Sequence, residues 1–289
     1  MKRIEMMQVM TSRPNSTCRG GGPVFVSRSG LRALLLGVAV SLVGAQGAGA
    51  QGTTPVDWYT GDKTSDPDYK PSIVLDASGS FTSHQTNFGA VALTAALDGN
   101  LRQDGFRARV EGIAGEYNYF TTLTPVAPAM IGLQKKIDAT QENGGVLGGY
   151  GWVSRDWTFA LYGGAQVINT NLSYNYPGSP QGLRIGAKFV GEFYGSPTRN
   201  TMVSGYAAFS TVNNEYYSRF KAGYMVWSNV FLGPEFLALG NEFYSEYRAG
   251  LHLTGLRIGQ LSLGISGGAT SNRTTGSGGY GIVDAQLGF

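Results

Sequence analysis

The chain has 289 residues, a formal charge of +3, 44 glycines, 16 tyrosines and 14 phenylalanines, and only 14% charged residues. Few charges with very many glycines is unusual for a soluble domain, and the small, scattered positive charge excludes nucleic acid as a partner. A single cysteine, Cys18, leaves neither a disulfide framework nor thiolate zinc.

Near the N-terminus, Arg28 and Arg32 precede an apolar stretch from Ala33 to Val43, followed by Ala48 and Ala50 at the spacing a signal peptidase accepts. Residues 1–50 therefore read as a secretory signal with an extended n-region. The stretch is too short for a spanning helix, which needs ~20 apolar residues. Residues 51–71, QGTTPVDWYTGDKTSDPDYKP, are polar with three prolines and read as an irregular periplasmic leader.

From 72 to 289 the pattern changes to alternation at period two. Ile73, Leu75 and Ala77 oppose Val74, Asp76 and Ser78, while Phe106, Ala108 and Val110 oppose Arg107, Arg109 and Glu111. Trp157, Phe159, Leu161 and Val167 share one parity. Further on, Leu183, Ile185 and Phe189 oppose Arg184, Lys188 and Glu192. Phe220, Tyr224 and Val226 oppose Arg219 and Lys221, and Tyr247, Leu251 and Leu253 oppose Glu246, Arg248 and His252. Leu261, Leu263 and Ile265 form the next segment, and IVDAQLGF the last. With weaker segments near 86–98, 141–153, 200–212 and 230–239, the spacing predicts twelve antiparallel strands of about 10 residues and no helix.

Such two-faced strands fit a soluble sandwich with its apolar face inward, or a transmembrane barrel with that face outward. The export signal, the strand length and the ending on Phe289 favour an up-and-down barrel in the outer membrane of a Gram-negative cell. Trp152, Trp157, Tyr216, Tyr217 and Trp227 are expected in the interfacial girdles. Val283, Ala285, Leu287 and Phe289 share one face of the terminal strand and resemble the signal by which the barrel-assembly machinery recognises its clients. Arg107, Arg109, Glu111, Arg184, Lys188, Glu192, Arg219, Glu246 and Arg248 fall on the lumenal parity and predict a salt-bridged interior that leaves little free bore.

Catalytic chemistry has little to work with. Only His84 and His252 are present. A lipid-modifying enzyme of the lipid A deacylase kind would pair a histidine with a serine near the membrane edge. Ser245 and His252, however, lie roughly 23 Å apart on one strand at ~3.3 Å per residue and have opposite parity. The carboxylates Glu111, Glu116, Glu192, Glu235 and Glu246 interleave with arginines rather than standing as a glycosidase pair. The Gly-rich GGVLGGYG and TGSGGYG precede no helix, which argues against a phosphate site. No cofactor or metal spacing is recognisable.

The block LGPEFLALGNEFYSEYRAGLHLTGLRIG (Leu232 to Gly259), with LSLGISGG and TTGSGGYG after it, resembles the cellulose biosynthesis protein BcsS family. DWYTGD (Asp57 to Asp62) and GGYGWVSRDWTFALYGGA (Gly148 to Ala165) are similar in kind. The resemblance implies an outer-membrane component encoded with cellulose synthase genes and acting in export or surface handling of that exopolysaccharide. It brings no catalytic residues. The sequence thus predicts a non-enzymatic barrel whose partners are outer-membrane lipid, the assembly machinery and the cellulose secretion complex or cellulose itself. A lipid-modifying enzyme or a small nonspecific porin is the alternative. Trp152, Trp157, Tyr174 and Tyr176 are candidates either for stacking on a glucan or for the lipid interface.

Overall fold

Alternating segments become strands here because each can bury one face in the sheet's interior and offer the other to its surroundings. The computed structural model describes residues 54–55, 63–64 and 70–289, apart from 85, 123–133, 177 and 274. The expected signal and most of the leader lie outside the described residues. β1 (Thr54–Pro55) and β2 (Lys63–Thr64) form a two-residue bridge.

Twelve strands follow: β3 (Ile73–Thr82), β4 (Asn87–Ala96), β5 (Gly105–Thr122), β6 (Gln134–Val153), β7 (Trp157–Leu172), β8 (Gly182–Thr198), β9 (Thr201–Ser210), β10 (Tyr216–Trp227), β11 (Val230–Gly240), β12 (Ser245–Ile258), β13 (Leu261–Asn272) and β14 (Gly276–Gly288). Each pairs antiparallel with its chain neighbours, and β14 pairs with β3 in register Leu287↔Leu75 and Asp284↔Ser78, so the sheet closes into a barrel. Closure leaves no edge with unpaired backbone groups, the condition for any sheet in hydrocarbon. The seam ends where Phe289 and Ile73 exchange backbone hydrogen bonds of 2.8 and 3.2 Å.

The burial pattern is inverted relative to a soluble protein. Val146 and Ile185 are 65% and 72% exposed, whereas Glu235 and Asp284 are wholly buried and Arg109 is 2% exposed. Charged groups avoid burial unless paired, and large apolar patches avoid water. Only hydrocarbon outside and a polar bore inside satisfy both, so the barrel is transmembrane.

The two ends differ. At the end holding the C-terminus, β6–β7, β8–β9, β10–β11 and β12–β13 are joined by two or three residues, while β5–β6 and β7–β8 at the opposite end need eleven and nine. Short periplasmic turns and longer outer loops are the usual arrangement. At the periplasmic end Phe106, Tyr150, Trp152 and Phe159 form a chain of ring contacts, with centroids 5.0–5.6 Å apart, on the outer face.

β5 and β6, with 18 and 20 residues, exceed the expected length of about 10. Their outward parity explains why. Val110 and Val146 face outward among apolar neighbours, but further along Glu116, Lys136, Asp138 and Glu142 take the same parity. This ribbon therefore continues past the hydrocarbon into water. Gly255, at φ +87°, sits in a bulge between Thr254 and Leu256, where a Cβ would overlap the carbonyl oxygen of Asn229.

Replacing lipid-facing Ile265 with arginine is expected to lower stability by about 2–4 kcal/mol. Asp138→Ala, on the ribbon beyond the membrane, should change it by less than about 0.5 kcal/mol. Urea unfolding in lipid vesicles distinguishes the two.

Candidate functional site

The inward parity brings the charged residues of seven strands, β3, β5, β8, β10, β11, β12 and β14, into one bore. Arg219 on β10 grips Asp284 on β14 with both Nη atoms, at 2.9 and 2.8 Å, and its Nε donates to Glu235 on β11 at 2.9 Å. Lys221 Nζ lies 3.1 Å from Asp284. The Ser266 and Tyr280 hydroxyls donate to Glu235, and Ser78 donates to Asp284. Two cations thus balance two anions, and hydrogen bonds occupy the remaining lone pairs, which is what makes a buried ion cluster tolerable.

A second group joins Arg109 on β5 to Glu192 on β8 at 2.9 Å, with Tyr162 donating to the same carboxylate. Arg109 also approaches Asp76 at 3.8 Å, and Asp76 accepts from Gln286. Lys188 on β8 pairs with Glu111 on β5. Arg248 bonds Glu246 at 2.6 Å and Ser80 on β3. Neither β5 and β8 nor β10 and β14 are neighbours in the sheet, so these pairs are chords across the bore. Of the other expected lumenal residues, Arg107 turns to the periplasmic end and donates to the carbonyl of Leu101, a buried residue of the β4–β5 loop. Arg184 lies at the outer end and bonds Asn213 and the Ser179 carbonyl.

His252 faces the bore and is 1% exposed. Its Nε2 is 3.1 Å from the Ala222 carbonyl and its Nδ1 is 3.3 Å from the Thr254 hydroxyl. A carbonyl only accepts, so Nε2 carries the proton and Nδ1 accepts from Thr254. Both nitrogens are thereby engaged inside the barrel, away from the lipid edge. Gly223 makes room for the ring, since a Cβ there would stand 3.1 Å from its Cε1. Among the described residues no cluster of three or more metal-ligating side chains occurs.

The outer mouth is aromatic. Tyr117, Tyr119, Ile137, Ala139 and Tyr244 pack with Phe88, Tyr176 and Phe243. Beneath them lies a cavity of about 160 Å³ that reaches from the mouth to Arg109, Glu111 and Lys188. Glu215, in the β9–β10 turn, lines it and accepts hydrogen bonds from Gln141 and Asn143. Desolvation pushes this carboxyl above the ordinary carboxylate range, against the opposing pull of Lys188 and those two amides.

The four candidate aromatics do not form one surface. Trp152 and Trp157 sit exposed on the outer face at the periplasmic end. Tyr174 and Tyr176 belong to the β7–β8 loop at the opposite end, where Tyr174 lies against the Lys135 ammonium at 3.4 Å and Tyr176 meets the Tyr119 hydroxyl at 2.9 Å. Tyr217, expected in the girdle, faces the bore and lines the cavity instead. Val283, Ala285 and Leu287 occupy the outward face of β14, and Phe289, just past its end, is exposed as well. The sequence reading also missed Gln166, an inward residue of β7 that is 1% exposed. Its signal was slight: one amide on the inward parity of a strand otherwise read for its apolar face.

A family model described as "Cellulose biosynthesis protein BcsS" matches residues 80–289. No curated protein sequence matches the chain. Similar solved structures include a KdgM porin in complex with disordered oligogalacturonate (9% identity, TM-score 0.38, 75% of this chain and 99% of that one). LpxR from Salmonella typhimurium is 12% identical, with TM-score 0.42 and coverage of 75% and 100%. Outer membrane phospholipase A from Escherichia coli is also 12% identical, with TM-score 0.38 and coverage of 78% and 94%.

Removing one member of the central cluster strands the others. Glu235→Ala is expected to cost about 3–5 kcal/mol, measured as a shift of the urea midpoint of the folded, heat-modifiable band on gels.

Proposed function

Because the chain belongs to the cellulose biosynthesis protein BcsS family, we propose that it supports cellulose secretion or assembly as a closed, non-enzymatic barrel of the outer membrane. The observation that carries this reading is the set of ion pairs strung across the bore, Arg219 to Asp284, Arg109 to Glu192 and Lys188 to Glu111. A polymer or a hydrated solute passing through would have to break charge pairs that are buried on all sides, and separating one such pair costs several kcal/mol. The barrel is therefore an anchor and a surface platform rather than a conduit.

The enzymatic alternative finds weaker support. A lipid hydrolase needs its base beside a nucleophile at the level of the substrate ester, whereas His252 is enclosed within the bore by Ala222 and Thr254. Outer-membrane lipid then contacts the apolar wall, and the assembly machinery meets the outward face of β14. The secretion complex, or the polymer itself, meets the mouth.

Deleting the gene should reduce cellulose at the cell surface while synthase activity in isolated membranes stays unchanged; equal loss of both would contradict an export role. In planar bilayers the purified protein should show no sustained conductance, and long-lived open steps would make it a porin.

A further inference from the structure

We propose that the cavity beneath the outer mouth is a saccharide-binding site that takes the end of a neutral glucan chain, about one pyranose ring deep. This deepens the reading above and rests on it for the choice of polymer; the site itself is argued from its geometry.

Its size suits capture and not passage. About 160 Å³ is many times the ~10–15 Å³ that a single buried water needs, room for a group on the scale of a single sugar ring. The cavity opens toward the mouth, and its floor is the cross-bore pairs of Arg109 and Lys188.

Its walls have the two faces a pyranose presents. On one side Phe88 and Tyr117 lie nearly parallel, with an interplanar angle of 20°, and Tyr117 meets Tyr244 at 5.4 Å. On another, Tyr206 and Tyr217 make an edge contact at 5.7 Å. Aromatic rings offer flat apolar area with a polar rim, which matches the C–H face and hydroxyl edge of a sugar. Its charge is balanced as well. The ionisable carboxylates and cations that line it are Asp76, Glu111 and Glu215 against Arg109, Lys188 and Arg248. Three anions facing three cations favour a neutral ligand over an acidic one.

Independent support comes from two unsatisfied polar atoms. Gln166 lines the cavity at 1% exposure, and its Oε1 accepts no hydrogen bond among the described residues. Arg109, also on the lining, leaves its Nε without a partner. A buried amide oxygen left unpaired is costly, so a native barrel holds one for something that arrives with a hydroxyl. In register, Gln166 faces Gly145 on β6 and Gly186 on β8, so neither residue directly opposite it carries a side chain. An acceptor at Gln166 and a donor at Arg109 together fit a sugar diol.

The test is calorimetric titration of the purified full chain, folded in detergent, with cellotetraose. Saturable binding is expected, weakened about tenfold or more by Gln166→Met and abolished by Ala208→Trp, which fills the cavity. Both variants must keep the heat-modifiable folded band. Absence of binding by the folded wild-type protein overturns the proposal, as does binding that neither substitution alters, because the saccharide would then sit elsewhere. Such failure leaves the deletion phenotype untouched, whereas a deletion without effect on surface cellulose would overturn the functional reading while the titration still reported on this cavity.

Discussion

Everything in this barrel follows from one constraint: hydrocarbon offers no hydrogen bonds, so every backbone amide and carbonyl crossing it needs a partner within the sheet. A twelve-stranded sheet meets that demand only by closing, and β14 onto β3 is the closure. Once closed, a strand has an inside and an outside, and the period of two sorts its residues between them. Apolar side chains then coat the wall, while Arg, Lys, Asp and Glu, which the lipid would reject, share the bore.

That confinement creates a second problem, which the interior solves. Charges taken out of water are stable only with opposite charges and hydrogen bonds around them. The bore of a barrel this size is narrow enough for side chains from opposite walls to meet, so Arg219 finds Asp284 and Arg109 finds Glu192. Glycines make room for these long groups: a Cβ at Gly151 would overlap the Arg107 guanidinium, and one at Gly250 would press on the Tyr280 hydroxyl. The abundance of glycine in the composition is thus partly the counterpart of large inward side chains. The same filling that stabilises the middle gives way near the outer mouth, where the aromatic residues begin, to the cavity lined by Tyr117, Gln166 and Tyr217.

Much of this was legible in the sequence, and what was not has a physical cause. The strand number and the inward parity of Arg109, Glu111, Lys188 and Glu192 follow from alternation alone, since the wall must be apolar across the whole hydrocarbon span. Beyond the hydrocarbon the outward parity of β5 and β6 turns polar, with Glu116 and Asp138 outward and Tyr119 and Ile137 buried inward, so a reading keyed to an apolar wall did not follow these strands to their outer ends. Partner choice is invisible too, because which residues meet across the bore depends on strand tilt and stagger rather than on spacing along one strand. For the same reason Trp152 and Tyr176 appeared comparable in the sequence but lie at opposite ends, and Tyr217 faces inward beside Tyr206. Gln166 carries no local motif at all; its place is visible only once Gly145 and Gly186 stand beside it.

The claim beneath the rest is that lipid, not protein or water, covers the apolar wall. Nitroxide labels at Val146→Cys, Ile185→Cys and Ile265→Cys in the protein reconstituted into vesicles test it directly, with Asp138→Cys as the aqueous reference. The account predicts that the three wall labels collide freely with dissolved oxygen and are shielded from a water-soluble nickel chelate, while the reference label meets the chelate. Wall labels as open to the chelate as the reference would contradict it.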